Sequence, residues 1–147
     1  MAINPNTDFT VGAVLTAAQQ NRLPRGIMAF ATLGTNGGLT TVVGDIGLSL
    51  SFTAVANRYY KYTFVAYASN STAAGTLETY VTDSSNNIKG QINLYVPGGG
   101  NYTYQLLTYI STESAGTVTR KIRAKCGAGT GTIYSPLDFW VEDIGPA

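Results

Sequence analysis

The 147-residue chain contains no histidine and a single cysteine, Cys126. Without histidine, neither a Ser-His-Asp nor a Cys-His catalytic arrangement can be assembled. Zinc sites of the usual His/Cys composition are excluded as well, and no disulfide can close within the chain. A lone cysteine in a strand reads as a small buried hydrophobe. Charge is scarce too. Nine Lys+Arg and eight Asp+Glu leave 12% charged residues and a net charge of +1, about half the usual charged share. So small a net charge argues against a nucleic-acid partner. No apolar run approaches the ~20 residues of a membrane-spanning helix, so no membrane insertion is expected. The opening MAINPNTD has neither the basic region nor the apolar core of a signal peptide. The expectation is a soluble protein made in a cytoplasm, with no metal and no cofactor.

The eight carboxylates are Asp8, Asp45, Glu78, Asp83, Glu113, Asp138, Glu142 and Asp143. A glycosidase needs a facing pair of them, yet none sits in a distinctive motif, and the chain reads as non-enzymatic. Glu142 and Asp143, being adjacent, read as the solvated end of a strand. The glycine-rich runs VPGGGN and CGAGTGT lack the Lys-Ser/Thr pair and following helix of a phosphate loop, and read as tight turns.

What the sequence does hold is strand and turn. Residues 48–55, LSLSFTAV, alternate strictly, with Leu48, Leu50, Phe52 and Ala54 on one face, the pattern of a half-buried antiparallel strand. The aromatic run 58–68, RYYKYTFVAYA, divides into Tyr60, Tyr62, Phe64 and Ala66 against Tyr59, Lys61, Thr63, Val65 and Tyr67. Further strands are predicted at 26–33, 76–83, 88–96, 102–111, 117–126 and 132–143, the last interrupted by Pro136. Gly/Asn/Ser clusters separate them, among them the turn TNGG at 35–38. The fold class is all-β: an antiparallel β-sandwich, jelly-roll-like, of about eight or nine strands. It spans residues 26–147, and residues 1–25 form an N-terminal arm. Thr16 and Gln19 make a capping box for two helical turns that Pro24 stops. Two turns are too short to stand alone in water, so the arm must dock. Phe9, Val11, Val14, Leu15 and Leu23 give it an apolar surface.

Two surfaces are candidates for recognition. In a strand, Lys121, Arg123 and Lys125 share one face, while Ile122, Ala124 and Cys126 share the other with Arg120. The three cations read first as a charge-protected sheet face or edge; the alternative is contact with a polyanion, an acidic partner subunit or membrane headgroups. The second surface is aromatic. Tyr59 and Tyr67 share a face, as do Tyr102 and Tyr104. Such rings serve packing, subunit contacts or a carbohydrate platform.

The tract Phe9 to Asn21, FTVGAVLTAAQQN, resembles a segment near the N-termini of tailed-bacteriophage virion proteins. The ending Phe139 to Pro146, FWVEDIGP, resembles the close of short phage β-domains, and Ser51 to Tyr60 is similar in style to their strands. The resemblance covers about a quarter of the chain and carries no catalytic residues. It implies a structural protein of the virion, of minor-tail or tail-fibre type, attached by the arm and in contact with the host surface. A capsid decoration protein is the alternative within that class. The implied partners are sister subunits in a homotrimer, other phage capsid or tail proteins, and a host-surface glycan. A carbohydrate-binding module is the alternative from another class.

Overall fold

Leu48, Leu50, Phe52 and Ala54 are buried and the residues between them exposed in the computed structural model, as their alternation requires. The structure describes residues 17–21, 23–70, 75–97 and 101–147. Its elements are α1 (Ala17–Gln20), β1 (Gly26–Leu33), β2 (Gly37–Leu39), β3 (Gly44–Ala54) and β4 (Arg58–Asn70), then β5 (Gly75–Asp83), β6 (Ile88–Val96), β7 (Tyr102–Thr112), β8 (Gly116–Cys126) and β9 (Gly131–Pro146).

The strands pair antiparallel in a nested series: β1 with β9, β3 with β8, β4 with β7 and β5 with β6. This is one long hairpin rolled up, the connectivity of a jelly roll. It yields a sheet ordered β1-β9-β4-β7, with β2 also on β9, facing a sheet ordered β3-β8-β5-β6. Between them lies a core that includes Leu48, Phe52, Tyr60, Tyr62, Phe64, Leu77, Ile122, Ile133 and Phe139. Cys126 is fully buried, and its thiol donates to the Gly129 carbonyl at 3.4 Å.

A polar cluster ties the two sheets. Glu113 accepts hydrogen bonds from the Tyr62 hydroxyl (2.7 Å), the Ser111 hydroxyl (2.8 Å) and Arg120 Nη2 (2.5 Å). The Arg120 guanidinium lies 5.6 Å from the Tyr62 ring centre, and its Nε donates to the Tyr109 hydroxyl at 3.2 Å. Tyr62 and Tyr109 stack with centroids 4.6 Å apart. Burial pushes both phenols up, that of Tyr109 to about 12, because a phenolate loses its hydration there. Arg120 thus points inward, as its position in the alternation requires.

Four sequence expectations need correction. β9 is not interrupted at Pro136; it runs to Pro146. The β4–β9 register shifts between Val65 and Tyr67, so Ser135 and Pro136 fall in a bulge where no ladder N–H is needed. The turn expected at 35–38 gives way to β2, because the early start of β9 offers Gly37 and Gly38 a partner strand. Asp143 is not at a solvated strand end: it is 1% exposed and ion-paired with the buried Arg58. Finally, the helix among the described residues is the single turn α1.

Arg58 explains where that helix stops. Its guanidinium grips Asp143 through Nε and, at 2.7 Å, through Nη2. The same group donates to the Asn21 carbonyl and, at 2.6 Å, to the Leu23 carbonyl. In a longer helix the Asn21 carbonyl would accept from the backbone N–H four residues on. Here Arg58 takes it, and the chain is drawn onto the sandwich before entering β1.

Candidate ligand-binding face

Alternation sends Tyr60, Tyr62, Phe64, Ala66 and Ala68 of β4 into the core, so Lys61, Thr63, Val65 and Tyr67 point to the opposite, outer face. The ladders then set these residues in rows. Ile27 of β1 lies beside Glu142 of β9, Lys61 of β4 and Ile110 of β7; the next row is Phe30, Trp140, Thr63 and Thr108. A third row holds Thr32, Asp138, Val65 and Leu106, and a fourth brings Tyr134, Tyr67 and Tyr104 together. Tyr102 follows two residues along β7 on the same face, beside Ser69.

The tyrosines form one patch. Tyr67 and Tyr104 meet edge to face, with centroids 5.2 Å apart at 60°, and Tyr102 leans on Tyr134 at 5.0 Å and 59°. The Tyr134 hydroxyl shares a 3.0 Å hydrogen bond with Ser69. Tyr67, Tyr102 and Tyr104 are each more than half exposed. Two inclined pairs leave ring faces open at an angle, where an apolar ligand surface can rest on one ring and meet hydroxyls around it.

Two of the three charged residues on this face pair with each other, and the third, Asp138, has no ion pair among the described residues. Lys61 Nζ lies 2.9 Å from Glu142 Oε2, which also accepts from the Trp140 indole N–H at 3.3 Å. Exposed Phe30, Leu106 and Ile110 fill much of the remainder. Such a surface favours an uncharged ligand that brings both apolar faces and hydroxyls, since Lys61 and Glu142 neutralise each other and the carboxylate of Asp138 would repel an anion.

The other sheet presents a different outer face. Lys125 Nζ lies 3.0 Å from Glu78 Oε1, and Lys121 Nζ donates to Asn86 Oδ1 at 2.7 Å with Asp45 at 3.9 Å. Arg123 Nη2 donates to the Val43 carbonyl at 3.0 Å. Tyr80 donates to Glu78, whose carboxyl is held below the usual range by Tyr80 first and Lys125 next. Lys121, Arg123 and Lys125 therefore share a face as expected, but each is engaged within the chain.

Of the four expected recognition tyrosines, three come together. Tyr59 stands at the other end of the sheet, half-buried, beside Thr112 and Gly145. Tyr134, Phe30 and Trp140 join the face without having been singled out from the sequence. Their alternation was legible, but their neighbours are set by β9 lying between β1 and β4. Of the arm residues, Leu23 is partly exposed and its carbonyl is held by Arg58. Phe9, Val11, Val14 and Leu15 lie outside the described residues.

No protein-family model matches the chain, and no curated protein matches it. Solved structures similar to it include the xylanase 10B modules (CBM22-1 and GH10) of Clostridium thermocellum complexed with xylohexaose. That match has 12% identity, 83% coverage of this chain, 29% of the other and a TM-score of 0.43. A carbohydrate-binding module of Cellvibrio mixtus lichenase 5A, in complex with cellotriose, matches at 14% identity. Coverage there is 80% of this chain and 98% of the module, with a TM-score of 0.36. The enzymatically active domain of bacteriophage CBA120 tailspike protein 4 matches at 16% identity, 76% of this chain and 19% of the other, with a TM-score of 0.28. The chain thus spans under a third of the xylanase and about a fifth of the tailspike structure. With TM-scores under 0.5, these likenesses assign this chain neither a ligand nor a setting.

Proposed function

We propose that this chain is a non-catalytic β-sandwich that binds an uncharged carbohydrate on the outer face of its five-stranded sheet. The observation that carries the reading is the inclined four-tyrosine patch of Tyr67, Tyr102, Tyr104 and Tyr134. A pyranose ring presents C–H faces to such rings and equatorial hydroxyls to their phenols, and the self-paired Lys61 and Glu142 ask for no ligand charge. The test is a broad glycan array, followed by calorimetric titration of the glycans retained. Tyr67→Ala and Tyr104→Ala are each expected to weaken binding about tenfold or more, and Tyr59→Ala to leave it unchanged. Failure of the whole array, or equal affinity in the tyrosine variants, would overturn the reading.

The setting we propose is the virion of a tailed bacteriophage, as a minor-tail or fibre-type component, with capsid decoration as the alternative position. The terminal tracts support it, and so does the polarity of the sandwich. Gly26, Asp143 and Tyr60 align at one end of the sheet, near the Arg58 grip on residues 21 and 23. Ser69, Tyr102 and Gly131 mark the other end. From Tyr59 to Tyr67 the strand climbs about 27 Å, so a molecule held by its arm would carry the tyrosine patch at the far pole. Mass spectrometry of purified particles, with localisation by labelled antibody, tests the setting independently of the glycan.

A further inference from the structure

Strand β7 differs from the other edge strands. Among the described residues it pairs with β4 alone, in an unbroken register of eleven pairs from Tyr59–Thr112 to Ser69–Tyr102. Its sequence, YTYQLLTYIST, has no charge, no proline and no glycine. The remaining edges are interrupted, charged or, in the three-residue β2, short. β1 carries a register shift between Ile27 and Ala29, β3 one between Asp45 and Ser49, and β6 an irregularity against Thr82 together with Lys89. Lysines, bulges and prolines are the devices that keep a free edge from pairing with another chain. β7 has none of them.

We infer that β7 is an interaction surface whose partner is β7 of a second copy of this chain, paired antiparallel about a two-fold axis near Leu107. Self-pairing of an antiparallel strand is isologous, so one uncharged edge satisfies both sides. Centred on Leu107, it sets Tyr104 opposite Ile110 and Leu106 opposite Thr108 on the outer face. All four are exposed, and Tyr104, Leu106 and Ile110 are each more than half so. Aromatic–β-branched pairs of this kind are favourable, and no like charges meet. The edge N–H and carbonyl groups gain ladder partners, and the two five-stranded sheets join into one. A strand pair of this length makes a small interface, so the dimer dissociates on dilution. It requires no glycan, although Tyr104 belongs to both surfaces, and it differs from the homotrimer that the virion resemblance implies.

Sedimentation velocity and native mass spectrometry over a dilution series test it on the full chain. Wild type is expected to run as a dimer that dissociates to monomer on dilution. The exposed pair Leu106→Lys with Thr108→Lys is expected to be monomeric throughout, as is Leu106→Glu with Thr108→Glu, and an equimolar mixture to restore a one-to-one heterodimer. Thermal melting checks that the variants are folded, and Thr108→Lys alone serves if either double variant is not. Wild type that stays monomeric or forms a trimer would overturn the inference. So would a dimer indifferent to the lysines, or charge variants that fail to pair on mixing.

Discussion

Arg58→Met tests the reasoning about the buried clamp most directly. Arg58 is 4% exposed and Asp143 1%, and the two are joined through both carboxylate oxygens. Removing the cation leaves a carboxylate in a site poor in water, a change that costs about 3–5 kcal/mol. Two contacts survive and argue for the lower figure. The Gly145 N–H donates to Asp143 Oδ1 at 3.0 Å, and Arg25 Nε, on a partly exposed side chain, lies 3.9 Å from Oδ2. A loss of about 3 kcal/mol should lower the melting temperature of a domain this size by about 6–12 °C and shift the urea midpoint with it. The Asn21 and Leu23 carbonyls lose their donors in the same step. Trypsin should therefore cut after Arg25 faster in the variant, under conditions where the sandwich is still folded. Arg58→Met combined with Asp143→Leu should recover most of the stability, because no charge is left buried, but not the protection at Arg25. A loss of under about 1 kcal/mol, the size of an exposed ion pair, would refute the buried-clamp account. A double variant no more stable than the single one would refute it equally.

Two further outcomes follow from local geometry. Asp83 caps the β5–β6 turn by accepting from the Ser85 N–H, the Asn87 N–H and the Asn87 side chain, each at 2.9 Å, with Lys89 at 3.3 Å. Asn87 above all, then Lys89, holds its carboxyl down at about 2, against an ordinary 3.8. The stability it contributes is therefore fully present above pH 3.8 and is lost as pH falls through 2. Asp83→Asn should be less stable than wild type at neutral pH and converge on it in acid; a difference that persists at low pH would contradict the assignment. Gly131→Ala would place a Cβ 2.9 Å from the Ser69 carbonyl oxygen, which is backbone in the partner strand and cannot swing aside. It should cost about 1–3 kcal/mol, and an unchanged urea midpoint would show that the ladder yields there.

The strands were legible wherever one face is buried and the other wet. β1 and β6 match the runs read from sequence, 26–33 and 88–96, and in β4 the set Tyr60, Tyr62, Phe64 and Ala66 is the buried one. Alternation also placed Arg120 inward and Lys121, Arg123 and Lys125 outward. What it could not show is which strand lies next to which. The tyrosine patch needs β9 between β1 and β4, and the Arg58–Asp143 pair joins residues 85 positions apart. Neither leaves a local periodic mark. β2 was hidden for a related reason: Gly37 and Gly38 have turn chemistry, and only the neighbouring β9 makes them a strand.

The nested pairing also sets the order in which this fold can be completed. β5 and β6 are joined by a short turn and can meet early, whereas β1 must wait for β9, more than 100 residues later in synthesis. β9 is an interior strand, flanked by β1 and β4, so until it arrives the five-stranded sheet is split and both neighbours show open edges. Contacts so distant along the chain are slow to form. Folding of this sandwich therefore finishes after translation of residue 146, and a nascent chain stalled before residue 131 is the species most exposed to aggregation.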